Sequence, residues 1–222
     1  MNDQRWTAVD EYFSGLVVSD DPARGAIESA DQAGLPPIAV SPVMGKLLYL
    51  LAKMTGARRV LEVGTLAGYS SIWMARALPS DGQLITLEID ARHAEIARAN
   101  IAAAGVGDLV DVRLGPALET LPELAHDGSG PFDLVFIDAD KPSNEAYLDW
   151  ALTMSRPGSV IIVDNVVREG GVVTADDTDA AAEGARRVTE RMARERRLDA
   201  TALQTVGIKG WDGFLIALVT EG

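Results

Sequence analysis

Two rhythms of apolar and polar positions divide the chain. Up to Gly56 the spacing is helical. Val9, Tyr12, Phe13 and Leu16 recur at i, i+3, i+4 and i+7, which predicts an opening helix. A polar loop through Asp20, Asp21 and Pro22 follows, and Pro36-Pro37 forces extended backbone. Ser41-Pro42 reads as a helix cap with proline at the first helical position. Leu47, Leu48, Leu51 and Met54 read as the buried face of that helix, and Gly56 as its stop.

From Val60 short apolar runs alternate with helical stretches. Strands are predicted at Val60–Gly64, Leu84–Glu88, Val110–Leu114, Phe132–Asp138 and Val160–Asp164. Helices are predicted at Gly68–Ala77, along the face Ala94, Ala97, Ile101 and Ala104, near Glu145–Met154, and at Ala180–Arg197. In the last of these, Glu183–Arg187 and Glu190–Arg194 stand at supportive i, i+4 spacing. Two closing strands, near Thr201–Val206 and Gly213–Val219, have only a loop of about six residues between them, a hairpin length, so the last strand should run antiparallel. Strands alternating with helices imply an α/β fold with a mostly parallel sheet and helices on both faces. The near-continuous apolar strands suit burial on both sides.

The chain has 222 residues, 47% hydrophobic and 24% charged, enough for one domain with its own core. Its 20 basic and 33 acidic residues leave a net charge of −13, which disfavours nucleic-acid partners. With no cysteine, thiol chemistry and zinc–cysteine sites are excluded. The N-terminus lacks the pattern of a signal peptide and no apolar run approaches membrane-span length, so a cytoplasmic protein without membrane partners is expected.

Ligands of open α/β sheets bind beyond the carboxyl ends of the strands. The first strand ends in Glu62-Val63-Gly64-Thr65-Leu66-Ala67-Gly68. Leu66 stands where a dinucleotide fingerprint needs its middle glycine, so an adenosine ligand without phosphates fits better than a dinucleotide. Glu88, roughly 20 residues past the glycine turn, is where a ribose-binding carboxylate belongs, and Asp90 reads as the cap of the next helix. The fourth strand ends in Asp138 and the fifth in Asp164-Asn165. On neighbouring strands, about 4.8 Å apart, these side chains converge. Paired carboxylates need a cation or a proton between them, and an all-oxygen set suits Mg²⁺ first, with Mn²⁺ or Ca²⁺ as substitutes. Lys141, three residues beyond Asp138, is a candidate base, because a nearby cation favours the neutral amine.

Other positions carry less. His93 reads as a surface residue and His126 as part of a glycine-rich loop. Asp176, Asp177 and Asp179 read as a solvated loop and helix start. Ser70 and Ser71 lack the surroundings of a nucleophile elbow.

The segments IAVSPVMGKLL, VLEVGTLAGYSS, LITLEID, GPALETLPEL, FDLVFIDADK and VIIVDNV, in this order, resemble class I S-adenosylmethionine-dependent O-methyltransferases. More closely, the chain resembles the cation-dependent group of caffeoyl-CoA and catechol O-methyltransferases, from about Ile38 to Val219. The resemblance implies a Rossmann-like fold of one domain, with 1–57 a helical segment and 58–222 the cofactor-binding core on a seven-stranded sheet. It implies cofactor contacts from Val40, Glu62, Gly64, Thr65, Ser70, Glu88, Ala117 and Asp138. Glu62 would serve the methionine end, Glu88 the ribose and Ala117 the adenine side. It implies Asp138, Asp164 and Asn165 as ligands of Mg²⁺, Lys141 as base, a small aromatic acceptor with vicinal hydroxyls, and a homodimer. Ala139 and Asp140 stand where catechol O-methyltransferase has His and Trp, so Trp211, with Lys209 and Asp212, is an expected acceptor contact, and Val166–Asp179 an expected lid. The rival readings are a nicotinamide-dependent oxidoreductase, a non-catalytic cofactor-binding scaffold, and an RNA methyltransferase, the last disfavoured by the charge.

Overall fold

The computed structural model describes residues 4–18, 20–174 and 178–221. Seven strands form one sheet: β1 (Arg59–Val63), β2 (Gln83–Glu88), β3 (Val110–Leu114), β4 (Phe132–Ile137), β5 (Ser155–Asp164), β6 (Leu198–Gly207) and β7 (Gly210–Val219). Their order is β3-β2-β1-β4-β5-β7-β6. Every pair from β3 to β5 is parallel, and β7 runs antiparallel to both β5 and β6. The last of the seven strands in chain order therefore lies inside the sheet, between β5 and the edge strand β6.

Eight helices accompany it among the described residues: α1 (Gln4–Val17), α2 (Arg24–Gln32), α3 (Pro42–Met54), α4 (Tyr69–Ala75), α5 (Ala91–Ala103), α6 (Ala117–His126), α7 (Asn144–Thr153) and α8 (Ala180–Arg194). The period-two rhythm of the strands sends alternate residues to opposite faces. Val60, Leu84, Leu134 and Phe136 pack with Leu48 of α3, Trp73 and Met74 of α4 and Ile101 of α5. Leu61, Ile85, Val135 and Ile137 pack on the other face with Leu124 of α6, Leu148 of α7 and Val188 of α8. Chain direction in the sheet reverses its order between β1 and β4, which opens a crevice at their carboxyl ends.

Several expectations need correction. The inward face of α3 centres on Gly45, Leu48 and Ala52, with Leu47 and Leu51 packed half-buried against the same core; Met54, expected on that face, is exposed. Gly45 lies there because the indole of Trp73 crosses it, leaving no room for a Cβ. No residue of α1 is buried: Val9, Tyr12, Phe13 and Leu16 all face outward. Helix α2 follows the expected loop, over a stretch where no element was predicted; its inward residues, Ala26 and Ala30, are too small to give an apolar rhythm. Helix α6 was concealed by Pro122 in its interior, and His126 is its last residue, not part of a loop. The closing hairpin is tighter than expected, with only Ile208 and Lys209 between its strands. Among the expected lid residues, Asp176 and Asp177 lie outside the described residues, while Arg168–Val173 forms a short kinked 3-10 segment.

Candidate active site

A cavity of about 730 Å³ opens at the carboxyl ends of β1, β2 and β4. Its wall contains Val40, Gly64, Thr65, Ser70, Glu88 and Ala117, and also Asp138, Lys141 and Asn165. Asp164 lies in the wall of an adjoining cavity of about 460 Å³, which shares Val40 and Asn165 with the first. Residues spread over more than a hundred positions of sequence are thus gathered at one end of the sheet.

The turn after β1 is built around Glu88. One of its carboxylate oxygens accepts from the backbone N–H groups of Thr65 (3.3 Å) and Leu66 (2.8 Å), and the other from Asp90 N–H at 2.9 Å. Glu88 is therefore fixed by backbone donors while its edge remains in the cavity wall. Leu66 takes the left-handed conformation, φ 52°. Gly64, at φ 100°, lies against the backbone carbonyl of Asp138, where a Cβ would collide. That contact lets the ends of β1 and β4 meet.

Glu62 lies below this wall and is fully buried. Its carboxylate accepts from Ser70 Oγ at 2.5 Å and from Ser71 Oγ. Burial pushes the Glu62 carboxyl up to about 7, against the lowering pull of the Ser70, Ser71 and Thr86 hydroxyls. Ser70, in turn, does reach the cavity.

On the other side, Lys141 Nζ donates to Asp138 Oδ1 at 2.9 Å, with the lysine itself buried. A 3-10 turn at Lys141–Ser143 carries it. Gly184 of α8 lies against the Lys141 carbonyl, where any Cβ would collide, so the helix seats this turn. Burial first, and then the charge of Asp138, pushes the Asp164 carboxyl well above the usual carboxylate range, while Lys141 opposes the shift. Asp164 also accepts from Asn165 N–H at 2.8 Å, and Asn165 is left-handed at φ 58°. Two mutually destabilising carboxylates with an amide oxygen beside them make a hard, oxygen-only donor set, which fits a divalent cation. Among the described residues no group of three acidic, histidine or cysteine side chains is placed to hold a metal ion; Asn165 offers an amide oxygen as the further donor here.

The loop after β5 is held by Asp212. Its Oδ1 accepts from Val167 N–H (3.0 Å), Arg168 N–H (3.1 Å) and Gly213 N–H (3.0 Å). The hairpin tip reaches back to the N-terminal segment: Lys209 Nζ donates to the Pro37 carbonyl at 2.6 Å, and Ile208 N–H to Asp10 at 2.9 Å. Burial holds the Lys209 ammonium below its ordinary range.

The sequence reading missed several wall residues. His93, expected at the surface, lines the larger cavity with Nδ1 3.7 Å from a Glu88 oxygen. Tyr147 and Arg168 also line it. Only the helical phase of α5 pointed toward His93, one turn past Asp90. Trp211 does not line either cavity: its ring packs on Gly170 and its Nε1 donates to Gln204 at 3.0 Å. Lys209 and Asp212, expected beside it, do line the smaller one.

The sequence matches the O-methyltransferase family over residues 25–217. The chain belongs to that family. This O-methyltransferase is 55% identical over 213 residues to a catechol O-methyltransferase of Mycobacterium tuberculosis, covering 95% of this chain and 94% of that one. It is 50% identical over 220 residues to a catechol O-methyltransferase of Niastella koreensis, covering 99% and 100%. Its fold matches the O-methyltransferase TomG of Streptomyces achromogenes, solved with S-adenosylmethionine, with a TM-score of 0.95, 50% identity and 99% of each chain covered. An O-methyltransferase of Bacillus cereus, solved with S-adenosylhomocysteine, matches with a TM-score of 0.95 and 50% identity, covering 98% of this chain and 99% of that one. The class I methyltransferase fold expected from the sequence is the one found. Family membership also decides against the nicotinamide-dependent oxidoreductase.

Proposed function

We propose that the enzyme transfers a methyl group from S-adenosylmethionine to one hydroxyl of a small aromatic molecule with two vicinal hydroxyls, with a divalent cation, Mg²⁺ first, at Asp138, Asp164 and Asn165. The observation that carries this reading is the juxtaposition of the Asp138–Lys141 pair and Asn165, in the wall of the cavity that Gly64, Thr65 and Glu88 line, with the charge-strained Asp164 in the adjoining cavity. Similarity to catechol O-methyltransferases and to structures holding the cofactor or its product supports it.

In this reading Glu88 accepts from the ribose hydroxyls, and the turn at Gly64 and Thr65 offers backbone to the methionine end. Val40 and Ala117 supply apolar contact, and Glu62 fixes Ser70. Asp138, Asp164 and Asn165 would hold the cation, which when bound acidifies and orients a chelating diol. Asp138 keeps the Lys141 amine in the wall, and Lys141 Nζ in its neutral form accepts the hydroxyl proton. The freed oxygen lone pair forms the bond to the methyl carbon as the carbon–sulfur bond breaks, and the sulfur leaves as a neutral thioether. The rigid walls hold oxygen, methyl carbon and sulfur in line, so much of the acceleration is positional.

The test is methyl transfer from labelled S-adenosylmethionine to a panel of catechols, with Mg²⁺ and with EDTA. Turnover with Mg²⁺ should vanish in EDTA and return with added cation. Asp164→Ala should cost at least the roughly 100-fold that losing a supporting partner of a metal ligand costs. Full activity in excess EDTA would overturn the metal role. Cofactor binding by calorimetry without turnover of any catechol would favour the non-catalytic scaffold.

A further inference from the structure

We infer that Arg168 selects acceptors carrying a carboxylate on the aromatic ring; the inference rests on the diol-methylating function proposed above and assigns that site its substrate class. Arg168 stands three residues beyond Asn165 in the loop after β5 and lines the larger cavity with Asp138, Lys141, Tyr147 and Asn165. Its Nε is buried without a hydrogen-bond partner, and among the described residues no side chain forms an ion pair with its guanidinium. Arg186, which also reaches this loop, is by contrast occupied: it donates to the carbonyls of Gly171 and Val172. A guanidinium that lines a cavity with no ion-pair partner leaves its permanent charge to be met by a ligand.

The backbone supplies a second, independent observation. Arg168 and Glu169 take left-handed conformations, φ 55° and 53°, ahead of Gly170 at φ 89°. Side chains other than glycine resist this region, and successive residues there persist only when the surroundings hold them. The Asp212 carboxylate does so by accepting from the N–H groups of Val167 and Arg168. The fold thus spends backbone strain on a turn whose side chain enters the cavity wall beside the acceptor end.

A guanidinium offers a planar pair of donors that matches a carboxylate in bidentate fashion, which an ammonium does not. The lysines near this end are already committed, Lys141 to Asp138 and Lys209 to the Pro37 carbonyl. The same chemistry has two sources in a ternary complex: a carboxylate on the acceptor, and the one on the methionine end of the cofactor. Arg168 shares the loop of Asn165 and lines the cavity with Asp138 and Lys141, the residues of the acceptor end in the proposed function, which favours the acceptor.

The experiment compares 3,4-dihydroxybenzoate with 4-methylcatechol in steady-state turnover by the wild type, Arg168→Gln and Arg168→Lys. Calorimetry of S-adenosylhomocysteine accompanies it on each protein. The wild type should prefer the carboxylate acceptor in kcat/KM by roughly tenfold, the size of one charged hydrogen bond. Arg168→Gln should collapse that ratio to about one, mainly through KM, and Arg168→Lys should restore part of it. An equal loss on both acceptors would make Arg168 a structural residue of the loop and overturn the inference. So would weakened S-adenosylhomocysteine binding with an unchanged acceptor ratio, which would assign the arginine to the cofactor. Wild-type turnover of both acceptors at a ratio indifferent to Arg168→Gln would refute carboxylate selection alone. Turnover of neither acceptor would bring down the diol reading and this inference with it.

Discussion

At the scale of single residues, Glu62 shows how burial turns a carboxyl into a pH-dependent element of stability. Its folded value near 7 exceeds its ordinary 4.5, so the native state holds the proton more tightly than the unfolded chain. The sign follows: its contribution is fully present below about pH 4.5 and is lost as pH rises through 7. Glu62→Gln removes that titration. Urea unfolding of the cofactor-free protein at pH 5 and pH 8 should show the variant gaining on the wild type by up to roughly 3 kcal/mol between the two. Parallel behaviour at both pH values would refute it. Gly64 makes a steric counterpart. Gly64→Ala must push the Asp138 backbone aside and hold a strained φ, so it should lower cofactor affinity by isothermal titration and weaken turnover further still. The acidic residues at the strand ends were readable because an Asp or Glu closing an apolar strand contradicts its surroundings. His93 and Arg168 were not, because a helix face and a left-handed turn decide where they point.

At the scale of elements, the strands announced themselves through unbroken apolar runs, and five of the seven lie where the pattern put them, four with small shifts of boundary and β5 beginning earlier, at Ser155. The hairpin strands were read too short: nearly every residue of β6 is exposed, so it lacks a buried face to mark its extent. Helix α2 escaped for the same reason in reverse, burying only alanines. Helix α8 has a role that no periodicity shows. Its Gly184 lets it close on the turn that carries Lys141. Gly184→Ala should favour the isolated helix by up to about 1 kcal/mol while forcing the Lys141 turn away. Turnover should therefore fall at least tenfold, a loss of the order of 1.4 kcal/mol, with S-adenosylhomocysteine affinity far less affected. Equal losses in both measurements would show the change spreading beyond the turn.

At the scale of the whole molecule, charge and surface say different things. A net charge of −13 keeps copies of the protein apart at long range. Yet α1 exposes Val9, Tyr12, Phe13 and Leu16, and the edge strand β6 exposes Leu203 and Val206 nearby. Such apolar surface beside an unpaired strand edge is a docking liability in a monomer. It supports the homodimer implied by the resemblance. Sedimentation at moderate salt should report twice the 23.6 kDa mass of one chain, and Tyr12→Glu with Phe13→Glu should return a monomer. An unaltered dimer would move the interface elsewhere. No helix among the described residues is long and apolar enough to cross a membrane. The order of the sheet has a last consequence, for biosynthesis. Strand β7 is the last of the seven strands in chain order, yet it joins β6 to β5 and pairs Phe214 with Asp164. Until it emerges, the Asp164 end of the site lacks its flanking strand, and the tip that grips Asp10 and Pro37 does not yet exist. Competence should therefore arrive only once β7 has emerged, and a stop introduced within β7 should release a product that retains the first strands but cannot close its own active site.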